Sequence, residues 1–166
     1  NSGSIYSIDK DLKVTNHVND IGISNTFAWS PSNDKFYFTD TLTGIIDVYD
    51  YNHKDNKITN KREFAKFDRG YPDGSTVDSE GFLWSCRWSG SCVARFDPNG
   101  KLDSVIELPV PNVTSCTFGG SDLKTLFITT ARMGMTEEEL SNNPLAGSLF
   151  AYNSTVKGKP DFKFGA

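Results

Sequence analysis

The chain has no apolar run near the roughly 20 residues that span a bilayer and, at its Asn1 start, neither a basic nor an apolar leader segment. The segment is therefore expected to be soluble, with no membrane partner. It does not begin with Met, which leaves open a leader upstream. Clustered positive charge is also lacking. Seventeen Lys and Arg stand against 21 Asp and Glu, for a net charge of -4, and the longest like-charge block is Glu137 to Glu139. A nucleic-acid footprint needs a basic face, so no nucleic-acid partner is expected. Cysteine is scarce: Cys86, Cys92 and Cys116 make an odd count without CxxC spacing. That fits a reducing compartment, hence a cytoplasmic location, although Cys86 and Cys92 could face each other across a hairpin. There is no Gly-x-Ser-x-Gly elbow, which disfavours a serine hydrolase. Both histidines, His17 and His53, lie in polar outer-strand or turn contexts and read as surface residues.

What the chain does have is a repeat. One strand pattern occurs four times, at Gly3–Asp9, Gly44–Asp50, Ser91–Asp97 and Gly147–Asn153. Each copy opens with a small residue, alternates toward apolar or aromatic positions and closes with Asp or Asn. A second pattern, rich in aromatic and β-branched residues, precedes the last three copies at Phe36–Asp40, Leu83–Arg87 and Leu126–Thr130. A third lies further upstream at Asn25–Trp29, Asp73–Val77 and Thr114–Phe118, separated from the second by turn-forming stretches such as Pro31–Asp34 and Ser79–Gly81. With an outer strand such as Lys61–Ala65 or Ser104–Leu108, each unit holds four short strands, the size of a propeller blade. Helical pattern is confined to Thr136–Leu140, a capping box opening a short surface helix.

The fold class expected is thus all-β: a β-propeller with four-stranded antiparallel blades. Residues 25–70, 71–112 and 113–166 form three blades, and residues 1–24 form the end of another, about three and a half in all. Propellers close with roughly four to eight blades. A missing half, or self-association of two copies, is needed to close the ring and to cover apolar faces around Trp29, Trp84 and Phe118.

In a propeller the innermost strands line the central channel, so equivalent positions at their starts form a ring at one mouth. The first residues of the third pattern are Asn25, Asp73 and Thr114, an amide oxygen, a carboxylate and a hydroxyl. Converging oxygens suit one hard divalent cation, Ca²⁺, Mg²⁺ or Mn²⁺, with Zn²⁺ tolerated where carboxylate is sufficient. Asn25 and Asp73-Gly74 equally suit turns, because Asx side chains satisfy nearby backbone groups. Only the repeat symmetry raises the metal reading above that alternative.

The segments Ile23-Ser24-Asn25 with Ala28-Trp29-Ser30, Gly70-Tyr71-Pro72-Asp73-Gly74 with Val77-Asp78, Leu108-Pro109-Val110-Pro111, Thr114 to Gly120 and Thr129-Thr130-Ala131-Arg132 run in order along nearly the whole chain. Together they resemble the senescence marker protein, gluconolactonase and luciferin-regenerating enzyme family. The resemblance implies a six-bladed propeller with one divalent ion near the channel mouth, held in part by Asn25 and Asp73. Thr26 stands where the family commonly has Gly. A third ligand, a Glu, and the sugar-binding residues belong to the family's N-terminal half, absent from this chain. The implied reaction is metal-assisted opening of a sugar lactone, with Asp73 both a ligand and the acceptor of the attacking water's proton. Neutral Asn25 would hold the ion without cancelling its charge. The alternatives are a non-catalytic calcium-binding propeller and an arylesterase-like hydrolase. With only two of its ligands, the chain alone is expected to be inactive or nearly so. Arg87 and Trp88 could reach the channel rim or pack within their hairpin.

Overall fold

The computed structural model describes residues 1–163. Thirteen strands form four antiparallel sheets. The first sheet pairs β1 (Gly3–Ile8) with β2 (Val14–Ile21). The second is β3 (Ser24–Trp29), β4 (Lys35–Asp40), β5 (Ile45–Asn52) and β6 (Lys57–Lys66) in sequence order. The third repeats that order with β7 (Tyr71–Val77), β8 (Leu83–Trp88), β9 (Cys92–Phe96) and β10 (Leu102–Glu107). The last holds β11 (Val113–Gly119), β12 (Thr125–Thr130) and β13 (Leu149–Asn153), three strands among the described residues. This is a partial β-propeller, its barrel open, with meander blades stacked face to face.

Burial follows strand position within each blade. Middle strands of the second and third sheets are buried on both faces, as Phe36 to Thr39 of β4, Leu83 to Arg87 of β8 and all of β9 show, whereas β12 buries only Leu126 and Ile128. That is why these stretches of β4, β8 and β9 run largely apolar or small instead of alternating, with Arg87 and Arg95 as the charged exceptions. The core lies between blades. Ala28, Tyr37, Ile46 and Val48 meet Val77, Leu83, Ala94 and Phe96. In the next interface, Trp84, Cys86 and Val93 meet Val113, Cys116, Phe118, Leu126 and Ile128. Ile5 and Ile21 pack on Phe36, Phe38 and Tyr49.

In two copies of the repeat, the Asp that closes the strand has a local cause. Asp97 Oδ1 accepts from the backbone N–H groups of Asn99 and Lys101, and Asp9 Oδ1 from those of Asp11 and Lys13. Each side chain thereby folds the turn that follows it. Asp78 does the same between β7 and β8 and then reaches inward. Its Oδ1 accepts from Glu80 N and Phe82 N, while Oδ2 accepts from Trp84 Nε1 and from Nε and a terminal nitrogen of Arg95. Away from the sheets, α1 (Glu137–Asn142) is capped reciprocally by Thr136 and Glu139. No helix among the described residues is long and apolar enough to cross a membrane.

Candidate metal centre

The first strands of the three larger sheets, β3, β7 and β11, lie side by side around the inner edge of the propeller. Each carries an irregularity near its start. Between Asn25 and Phe27, between Pro72 and Ser75, and between Val113 and Ser115, the inner strand has one residue more than its partner. A bulge of this kind bends the strand and re-aims side chains toward one end of the sheet. Gly74 is the one sequence signal for it, since glycine inside a strand marks a bulge or a close approach. The approach is real: a β-carbon on Gly74 would lie 2.8 Å from the Thr114 carbonyl oxygen and 2.5 Å from Ser115 Oγ. Thr26 gives no such signal. It sits at φ 48°, a backbone region that a β-branched residue disfavours.

The buried Thr26 hydroxyl offsets that cost. It lies 2.8 Å from the Asp73 carbonyl oxygen and 2.8 Å from Ser75 Oγ. Its single proton goes to the carbonyl, so Ser75 donates to Thr26. A second tie runs from the loop after β4, where Thr41 Oγ1 donates to the Pro72 carbonyl at 2.8 Å and accepts from Asn25 Nδ2 at 2.9 Å. Asn25 and Asp73 thus stand on adjoining strands, β3 and β7, which Thr26 ties together at the Asp73 carbonyl and Thr41 ties together between the Asn25 amide and the Pro72 carbonyl.

Their free oxygens differ in character. Asn25 Oδ1 accepts no hydrogen bond among the described residues, its amide nitrogen being the engaged end. Asp73 is half-buried, and no cationic side chain among the described residues forms an ion pair with it. Burial pushes its carboxyl up to about 6, against the pull of the Gly74 N–H. A neutral amide oxygen and an uncompensated carboxylate are donors of the kind a hard divalent cation takes, and these two lie on adjoining strands. Thr114 does not join them: its hydroxyl is 2.8 Å from Thr129 Oγ1, within its own sheet. No three His, Cys, Asp or Glu side chains cluster as a metal site among the described residues. The three cysteines are free and buried, and burial raises the Cys86 thiol well above its ordinary value, which argues against a thiolate donor there.

Other residues weighed from sequence fall elsewhere. His53 is exposed, whereas His17 is half-buried with Nε2 2.7 Å from Ser7 Oγ across the β1–β2 pair. Arg87 lies inside, 1% exposed, with its guanidinium donating to the carbonyls of Phe67, Arg69 and Gly70. Desolvation lowers it to about 10. It clamps the loop that leads into Pro72-Asp73, a role that no local pattern announces.

Comparison with known proteins sets this geometry in a family. The chain is 38% identical to regucalcin of Gallus gallus over 98% of its own length and 56% of that protein's. It superposes on a luciferin-regenerating enzyme with a TM-score of 0.91 at 31% identity, covering 99% of this chain and 56% of that one. It matches a regucalcin of Agrobacterium tumefaciens, described as a calcium-binding protein, with a TM-score of 0.89 at 31% identity, covering 94% of this chain and 54% of that one. The chain therefore spans about half the length of the relatives it matches. Residues 1–132 match the model of the SMP-30/gluconolactonase/LRE-like region, and the chain belongs to that family.

Proposed function

We propose that this protein, with its propeller complete, is a divalent-metal-dependent hydrolase that opens a sugar lactone, and that Asn25 and Asp73 hold the ion. One observation supports the reading: on the adjoining strands β3 and β7, a half-buried carboxylate with no cationic partner and an amide oxygen that accepts no bond are both left over among the described residues. Ca²⁺, Mg²⁺, Mn²⁺ and Zn²⁺ all suit such oxygen donors. A bound cation supplies Lewis acidity toward the lactone carbonyl and acidifies water. Asp73 accepts the proton of the attacking water as the new C–O bond forms. The ring C–O bond then breaks, and its oxygen takes that proton back from Asp73 to leave as the hydroxyl of the open hydroxy acid. Neutral Asn25 orients without adding negative charge.

The family's gluconolactonase members support a lactone as substrate. Since the chain spans 56% of its regucalcin relative, the remaining ligand and the sugar contacts come from a missing half or from a second copy. The chain by itself is then inactive or nearly so. Three free cysteines favour a cytoplasmic setting. The test is metal-dependent hydrolysis of an aldonolactone by the full-length protein beside its Asp73→Ala variant. Loss of both metal binding and turnover is expected; turnover near the wild-type rate in the variant overturns the assignment. A second reading, calcium held without turnover, is favoured by the calcium-binding description of the Agrobacterium relative. It prevails if the full-length protein binds Ca²⁺ yet leaves aldonolactones intact under every metal tried.

A further inference from the structure

The hydroxyl of Thr41 decides which end of the Asn25 amide is engaged within the protein. Thr41 opens a turn of 3₁₀ helix, Thr41–Thr43, between β4 and β5. The turn is held firmly: Asp40 accepts from the backbone N–H groups of Gly22, Ile23 and Leu42, and Thr41 N donates to the Ile23 carbonyl. These contacts fix Thr41 against the two residues that lead into β3. Its Oγ1 therefore arrives at a set position, 2.8 Å from the Pro72 carbonyl oxygen and 2.9 Å from the Asn25 amide.

Hydrogen counting then settles the orientation. A carbonyl oxygen only accepts, so the single hydroxyl proton of Thr41 is committed to Pro72. Toward Asn25 the hydroxyl can offer only a lone pair, and the group facing it must be the NH₂ end. Oxygen and nitrogen of an amide are otherwise nearly indistinguishable by shape, but here the neighbour's chemistry selects between them. With the NH₂ end engaged, Oδ1 is the end left without a bond among the described residues. The same hydroxyl ties Asn25 to the residue preceding Asp73, so one side chain sets both the orientation of one donor and the spacing to the other.

We propose that Thr41 is a positioning residue for the cation site, an inference that rests on Asn25 and Asp73 being its ligands. Groups that orient metal ligands typically cost about 10- to 100-fold in affinity when removed. The experiment titrates Mn²⁺ and Ca²⁺ calorimetrically into the full-length protein and its Thr41→Val, Thr41→Ser and Asn25→Ala variants, with unfolding midpoints recorded in chelator. Thr41→Val keeps the shape but can neither donate nor accept, and about a 10- to 100-fold loss of affinity is expected. Thr41→Ser retains the hydroxyl and is expected to bind within about threefold of wild type, which a purely steric role for the threonine methyl would not produce. Wild-type affinity in Thr41→Val, with Asn25→Ala impaired, overturns the role of Thr41 alone. Wild-type affinity in Asn25→Ala overturns the underlying metal assignment. An equal loss in Thr41→Ser and Thr41→Val also refutes the hydroxyl argument. Should Thr41→Val fail to fold, Thr41→Ala takes its place in each comparison.

Discussion

Replacing Asp73 with Asn should stabilise the metal-free protein while abolishing the cation binding proposed for it. The perturbation is nearly isosteric and keeps an oxygen to accept the Gly74 N–H. It removes a carboxylate that burial raises from 3.8 to about 6. A carboxyl with a folded value above its unfolded value costs no stability below the unfolded value. The cost grows as pH rises between the two and is full above the folded one. At about 1.4 kcal/mol per unit the shift sets a ceiling near 3 kcal/mol. Because Asp73 is only half-buried, solvent screening reduces this to about 1–2 kcal/mol. Urea unfolding in chelator should therefore show Asp73→Asn more stable than wild type by about that amount at pH 7, with the difference gone at about pH 4. Saturating Ca²⁺ or Mn²⁺ should reverse the order, since ligand at 100 times its Kd adds about 2.7 kcal/mol to the form that binds it. A variant no more stable than wild type at pH 7 without metal, or a difference independent of pH, would refute the claim that Asp73 is a desolvated, uncompensated charge.

Three further changes probe the scaffold around the site. Asp78→Ala should destabilise by about 3–5 kcal/mol in urea unfolding, because Asp78 is fully buried and its loss strips Arg95 of its innermost partner; a cost under about 1 kcal/mol would show that Glu80 and Asp103 suffice for that arginine. Gly74→Ala forces β7 and β11 apart at the Thr114 carbonyl, and a loss of about 1–3 kcal/mol is expected by thermal melting, together with weaker metal binding. Unchanged affinity would mean that the inner-strand spacing does not matter to the site. Arg87→Met leaves the carbonyls of Phe67, Arg69 and Gly70 without their donor, so limited proteolysis should cut faster within residues 67–70. Identical cleavage patterns in variant and wild type would remove Arg87 from any part in holding that loop.

Much of the fold is legible along the chain because a strand's alternation, its turn residues and its spacing are local. The four copies of the Gly3–Asp9 pattern fall on β1, β5, β9 and β13, and Asp9 and Asp97 fold their turns through bonds to residues two and four further on. The capping box at Thr136 and Glu139 is equally local. Position within the repeat is also what singles out Asn25 and Asp73, since period and offset can be counted without knowing where blades meet.

Contacts between blades cannot be counted that way. Thr26 in a left-handed bulge, bonded to the Asp73 carbonyl, depends on how closely β3 approaches β7. The Thr41 hydroxyl meets Pro72 across the interface between sheets, and Arg87 meets three carbonyls of the loop that enters its own sheet, each partner being 17 or more residues away in sequence. Thr114 shows the converse, a residue equivalent by repeat whose hydroxyl turns to Thr129 instead. The sequence by itself determined the strands, their order and the residues near the starts of the inner strands, Asn25 and Asp73 among them, because those follow from spacing along the chain. Only the tertiary structure decided which amide end is engaged, which carboxylate lacks a cation and which arginine is buried, because hydrogen-bond partners and desolvation arise when separate sheets close on one another.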